Sequence, residues 1–262
     1  MKKNLLNNSK LPKLLNGIEV ANVIEEIYNI AGNLGPRLVE ANIVLTLANA
    51  RGQTEFFIEN PKDIDRGNIE KVNNNLSKEG ILMYAIEPSF ISPSSKKETL
   101  MVNIDNFKGY ERNSKMTHIP GIPPYDSNTG KKGYKQWIQE AQEGLTIAIK
   151  SRELICDEAD IVHILSGVIK GYPDIAILDY FYPRRLEIKK EFITSDIPYA
   201  SLYDGAQPLF NFLPEHINDI SIVKTIHTWN RILEEFYNSK WHEYISNTIF
   251  FKSMRSGIIE LA

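Results

Sequence analysis

The chain has 262 residues, of which 42% are hydrophobic and 24% charged, with a formal net charge of −3. That is enough sequence to bury a proper core, and the balance gives no global pull toward nucleic acid or membrane, so any nucleic-acid contact has to be a local basic patch. Its single cysteine, Cys156, excludes an internal disulfide and points to a reducing compartment.

The first 16 residues read as a lead-in with no apolar stretch of signal-peptide length. No window approaches the roughly 20 apolar residues of a membrane span, and the expectation is a cytoplasmic protein without a membrane partner. The abundance of Asn, Ile and Lys suggests an AT-rich bacterial genome. Val20, Val23, Ile24, Ile27 and Ile30 form one apolar stripe, which predicts a helix over about 18–30. Residues 41–48 and 54–58 are rich in β-branched and aromatic side chains and flank Asn49-Ala-Arg-Gly52, which predicts a β-hairpin. Residues 66–78 read as a polar surface helix. Residues 81–86 and 99–104 read as strands separated by a Ser/Pro/Lys loop.

From about Lys108 to Gly133 the sequence is rich in Pro, Gly and polar residues and reads as an irregular linker or lid. Beyond it the helical period returns. Trp137, Ile138, Ala141, Leu145, Ala148 and Ile149 make one stripe, 155–169 makes a second, and Ile222, Ile226, Trp229, Leu233 and Phe236 make a third behind the capping residues Asn218 and Asp219. The expected fold class is α+β, with an N-terminal antiparallel sheet and a mostly helical C-terminal half. Its portions would be 1–107, the linker 108–133, and 134–262.

Most chemical-looking motifs have a plainer account. Asp157-Glu-Ala-Asp160 spells a helicase ATPase motif but has no phosphate-binding loop to partner it, and an acidic first turn suits a helix N-terminus. Asp160 and His163 stand three apart on one helical face, which is too few ligands for a metal site. His242-Glu243 lacks the second histidine of a zinc-peptidase helix, since position 246 is Ser246. There is no nucleophile elbow and no dinucleotide fingerprint.

One constellation carries a specific chemistry. Pro173-Asp174, twelve residues, then Glu187-Ile188-Lys189 matches the PD-(D/E)xK pattern, and the segment resembles the core of that nuclease family. The resemblance implies two neighbouring strands, over 175–182 and 186–193, presenting Asp174, Glu187 and Lys189 at one edge. Asp174 and Glu187 would hold Mg²⁺, which activates a water for phosphodiester hydrolysis, and Lys189 would orient that water or stabilise the developing charge. Arg184 and Arg185 would contact nucleic-acid phosphate. The same residues also read as a helix stop at Gly171 and a new start, with Pro173 before the first turn and Asp174 in it.

Two other functions fit the chain. Tyr199, Tyr203, Asp204, Gln207 and His216 sit in an irregular stretch, 197–216, that suits the lining of a pocket in a small-molecule or peptide-modifying enzyme. A non-catalytic adaptor would show a broad exposed apolar patch instead.

Overall fold

The two segments expected as strands, Ile81–Ile86 (β2) and Thr99–Asn106 (β3), pair antiparallel, with successive side chains on opposite faces of the sheet. Gln53–Glu59 (β1) pairs antiparallel on the other side of β3, giving the order β1-β3-β2. The structure, a computed structural model, describes residues 23–24, 26–27, 40–59, 66–86, 99–126, 128, 130–185, 193–194 and 210–238. The fold is α+β, with this sheet in the N-terminal half and helices dominating the C-terminal half.

In chain order the helices are α1 (Glu40–Leu47), α2 (Arg66–Leu76), α3 (Phe107–Met116), α4 (Gly130–Lys150), α5 (Ile161–Ile169), α6 (Asp174–Arg185) and α7 (Ile220–Asn238). A short antiparallel pair, β4 (Ile193–Thr194) with β5 (Asn211–Phe212), lies between α6 and α7. Of the helix expected over 18–30, the described residues Val23, Ile24 and Ile27 are buried in the main core, and the remainder lies outside the described residues.

Two expectations are corrected. Residues 41–48, expected as the first arm of a hairpin, form α1, and every residue of that helix is buried. A helix enclosed on all sides needs no polar face, so its sequence loses the 3.6-residue period and resembles a buried strand. Asn49, expected in a hairpin turn, has φ 59° and ends α1 instead. Within 108–133, expected as an irregular linker or lid, α3 occupies the start and α4 begins at Gly130, while residues 117–126 between them are irregular. Asn106 starts α3 by accepting from the backbone N–H groups of Lys108 and Gly109, while its amide donates to Thr46 O and Asn49 Oδ1. One asparagine therefore caps α3 and ties it to the end of α1.

One face of the sheet, carrying Phe56, Val102, Ile104, Ile81 and Met83, packs into the main core with α1 and the buried stripe of α7: Ile222, Trp229, Ile232, Leu233 and Phe236. A second core joins α4, α5 and α6 through Ala141, Leu145, Ile164, Leu165, Val168, Ile177 and Phe181. The halves are stitched at one backbone carbonyl, since Gly52 N–H donates to Ile169 O at 2.8 Å and the Asn113 side-chain Nδ2 donates to the same oxygen at 3.0 Å.

Candidate functional site

The run from Gly171 to Arg185 decides the sharpest expectation. Gly171, at φ 73°, ends α5, and Pro173 precedes α6, whose first residue is Asp174. Pro fixes the backbone for a helix start and Asp complements the positive end of its dipole. Residues 175–182, expected as a strand in the nuclease arrangement, are therefore helical, and the two-strand edge is not formed there. Asp174 is committed elsewhere, accepting from Thr117 Oγ1 at 2.8 Å and from His118 N–H at 2.6 Å. Both of its oxygens are thus used to bind the loop after α3 to the start of α6. Arg184 and Arg185 fall in the last turn of α6. Glu187, Lys189, Tyr199, Tyr203, Asp204 and Gln207 lie outside the described residues. Among the described residues no group of three or more His, Cys, Asp and Glu is placed to hold a metal ion, and Glu187, the second carboxylate of the expected Mg²⁺ pair, lies outside them.

This geometry predicts a structural role for Asp174. Asp174→Ala should lower stability by about 1–2 kcal/mol, through loss of an end-of-helix acceptor and two cross-links. Urea unfolding checks it, and an unchanged midpoint would show that the cross-link is worth nothing.

The Asp-Glu-Ala-Asp segment is a capping box. The Asp157 side chain accepts from Ala159 N–H, and Asp160 returns a bond to the backbone of Asp157. Asp160 is thereby part of the turn leading into α5, while His163, one helical turn on, projects to a cavity.

That cavity has a volume of about 260 Å³ and opens between α5, α6 and β5. Its polar groups are His163, Ser166 and Lys170 on α5 and Asn211 on β5, and its aromatic walls include Tyr172, Tyr180, Phe181 and Phe210. The spacing of 163, 166 and 170 puts all three α5 side chains on one face. Lys170 Nζ lies 3.4 Å from Glu55 Oε1 on β1, so this cation is already paired. Phe210 and Asn211 belong to the stretch 197–216 expected to line a pocket.

Next to the cavity, on the same seam between α6 and the β5 segment, Asp179 is buried within α6. Its Oδ2 accepts from Leu213 N–H and from His216 Nδ1, both at 2.8 Å. A carboxylate oxygen there takes its bond from a proton on Nδ1 of a partly exposed ring. These bonds tie the 211–216 strand and turn to α6. His216 was legible as a candidate. Its partner was not, because Asp179 is a lone acid among Ile177, Leu178, Tyr180 and Phe181.

A third polar cluster lies on the sheet face away from the main core. Buried Asp105 accepts from Gln53 Nε2 at 2.9 Å, Tyr84 Oη at 2.8 Å and Tyr110 Oη at 3.0 Å. Tyr110 stacks on Tyr134 with ring centres 4.5 Å apart, and Phe107, Tyr125 and Trp137 complete the aromatic layer between β3, α3 and α4. Burial and the Asp105 charge hold the Tyr84 and Tyr110 hydroxyls well above the usual tyrosine range. Burial pushes Tyr125 and Tyr134 up to about 12. These hydroxyls stay protonated near neutral pH, and those of Tyr84 and Tyr110 hold the Asp105 side chain in place.

The folded-state values are raised, so the unfolded chain releases these protons first, near pH 10. Their contribution is intact below about pH 10 and is lost as pH rises towards and beyond 12. Melting temperature measured from pH 8 to 12 should stay level and then fall, with a slope of more than one proton per molecule. A fall that tracks a single proton would show that the cluster does not titrate as described.

No family model, curated protein or solved structure matches the chain. Among the described residues, no helix is long and apolar enough to cross a membrane.

Proposed function

We propose that the chain binds a small organic molecule in the cavity between α5, α6 and β5. The observation that carries this reading is the lining itself. Four aromatic side chains face a polar set of His163, Ser166, Lys170 and Asn211 around a half-open space of about 260 Å³. Apolar walls with a few convergent polar groups are the usual make-up of a ligand site. The aromatic rings favour a flat or ring-bearing ligand body, and the polar groups on α5 favour a hydrogen-bonding edge. The Asp179–His216 pair on the adjoining seam would give such a site an oriented acid–base group, which is the enzymatic form of the same reading.

The test is a set of aromatic fragments screened by ligand-observed NMR against the wild-type chain and Ser166→Trp, whose indole would fill the cavity from α5. Fragments that bind the wild type and are lost from a folded Ser166→Trp support the cavity as the site. Fragments that bind both proteins equally, or none that bind either, would overturn it.

A further inference from the structure

Behind the cavity wall lies a charge some of whose in-plane donors lack acceptors. Arg51 is 3% exposed, and its Nε and Nη1 are buried with no hydrogen-bond partner among the described residues. Among the described residues no carboxylate lies within ion-pairing distance of it. Its guanidinium carbon sits over two rings, 5.5 Å from the centre of Tyr172 and 5.4 Å from that of Trp229. Ring faces attract a cation, but they offer no lone pair to N–H groups in the guanidinium plane. Arginine does not shed its charge on burial as lysine or histidine does. The site thus contains donors that need an acceptor and a cation that needs an anion.

Its position gives that need a direction. Tyr172 carries Arg51 over its ring and also lines the cavity. Phe210, another lining residue, packs on both Tyr172 and Trp229, at 5.7 Å and 5.8 Å between ring centres. The guanidinium is therefore one aromatic side chain removed from the cavity. Lys170, the cation on the cavity wall, is already taken by Glu55.

We propose that Arg51 is the anion-recognition group of this cavity, and that the ligand is an aromatic small molecule bearing a carboxylate that reaches the guanidinium past the Tyr172 ring. This deepens the small-molecule reading above and rests on it. An aromatic body suits the rings of Tyr172, Tyr180, Phe181 and Phe210. A carboxylate suits a single guanidinium, since it brings one negative charge and several acceptor sites for the bare donors.

The experiment titrates benzoate, its uncharged isostere benzamide, and inorganic phosphate into the 262-residue chain, with binding read by calorimetry and by the fluorescence of the tryptophans. Variants are Arg51→Met, Arg51→Lys and Ser166→Trp. Benzoate should bind the wild type at least about tenfold more tightly than benzamide, the worth of a charge-assisted hydrogen bond. Arg51→Met should erase that preference while keeping or raising the melting temperature, since it removes an uncompensated buried charge. Should Arg51→Met not fold, the wild-type contrast between benzoate and benzamide and the response of Arg51→Lys decide. Equal binding of benzoate and benzamide, unaffected by Arg51 substitution but lost in Ser166→Trp, would overturn the role of Arg51 and leave the cavity reading standing. Benzoate binding that depends on Arg51 but survives in Ser166→Trp would place the anion site elsewhere and overturn the cavity reading. Binding of phosphate alone would overturn the aromatic carboxylate as the ligand class. Binding of none of the three probes would overturn the proposal outright.

Discussion

Trp229→Ala should cost about 3–5 kcal/mol of stability, the range for deleting a large aromatic from a core that cannot close over the gap. The ring is 2% exposed and sits where three parts of the chain meet. Phe210 meets it edge-on at 87°, Tyr172 packs at 6.2 Å, and the Arg51 guanidinium lies against it. Truncation removes the apolar burial, two aromatic pairs and one of the two rings that attract the Arg51 charge. The remaining cation is then more poorly compensated, which pushes the cost to the upper part of the range. Urea unfolding should show a lower midpoint with little change in slope, because the surface exposed on unfolding barely changes. A loss below about 1 kcal/mol would mean that the site collapses freely around the gap. The same substitution removes support from two cavity-lining residues, so fragment binding should weaken along with stability.

The parts of this fold that were legible in the sequence are those with a strong local pattern. Strands β2 and β3 are short runs rich in β-forming residues, although both faces of β3 are covered, and α7 shows the spacing of four and three that places Trp229, Leu233 and Phe236 in the core. Helix α1 was illegible for the opposite reason. Its polar residues Glu40, Asn42 and Thr46 are as buried as its apolar ones, so they mark no solvent face. The polarity of Thr46 is used inside, in a hydroxyl pair with Thr54 at 2.6 Å. Pairings of this kind join residues through the fold, and no local pattern announces them.

The candidate site was harder still, because its groups have meaning only through partners distant in sequence. Asp174 carried two opposite readings, nuclease ligand and helix start, and the difference lay in Thr117 and His118, more than fifty residues earlier. Asp179 needs His216 to be noticed, and Arg51 needs Tyr172 and Trp229. In the sequence Arg51 looks like one more charged residue in a turn. Only its enclosure makes it an expensive group, and expensive groups retained inside a fold are where function is sought.

Gly144→Ala is the second large effect, and its sign opposes helix propensity. Residue 144 lies inside α4, where replacing Gly by Ala ordinarily gains up to about 1 kcal/mol. Here a Cβ would come within 2.2 Å of the Gly121 carbonyl oxygen and 3.0 Å of its carbonyl carbon. Real side chains do not approach backbone this closely, and a peptide cannot swing aside as the tip of a side chain can. The loop at 119–122 packs its Ile119 into the core of α4 and α5 beside Leu145, so moving the loop off the helix would also unseat buried apolar surface. Overpacking of this kind costs roughly 1–3 kcal/mol and occasionally more. Contact with backbone rather than side chain puts the expectation near the top, at about 3 kcal/mol net of propensity. Gly121→Ala should be at least as damaging. Its φ of 90° is unfavourable for any side chain, and its own Cβ would meet Gly144 backbone at 2.5 Å. The double variant should cost less than the sum of the two, since displacing the loop once relieves both clashes. Thermal and urea unfolding of the three variants measure this directly. A stabilised Gly144→Ala would show that the loop does not rest on α4, whereas full additivity would show that the two glycines do not share one contact.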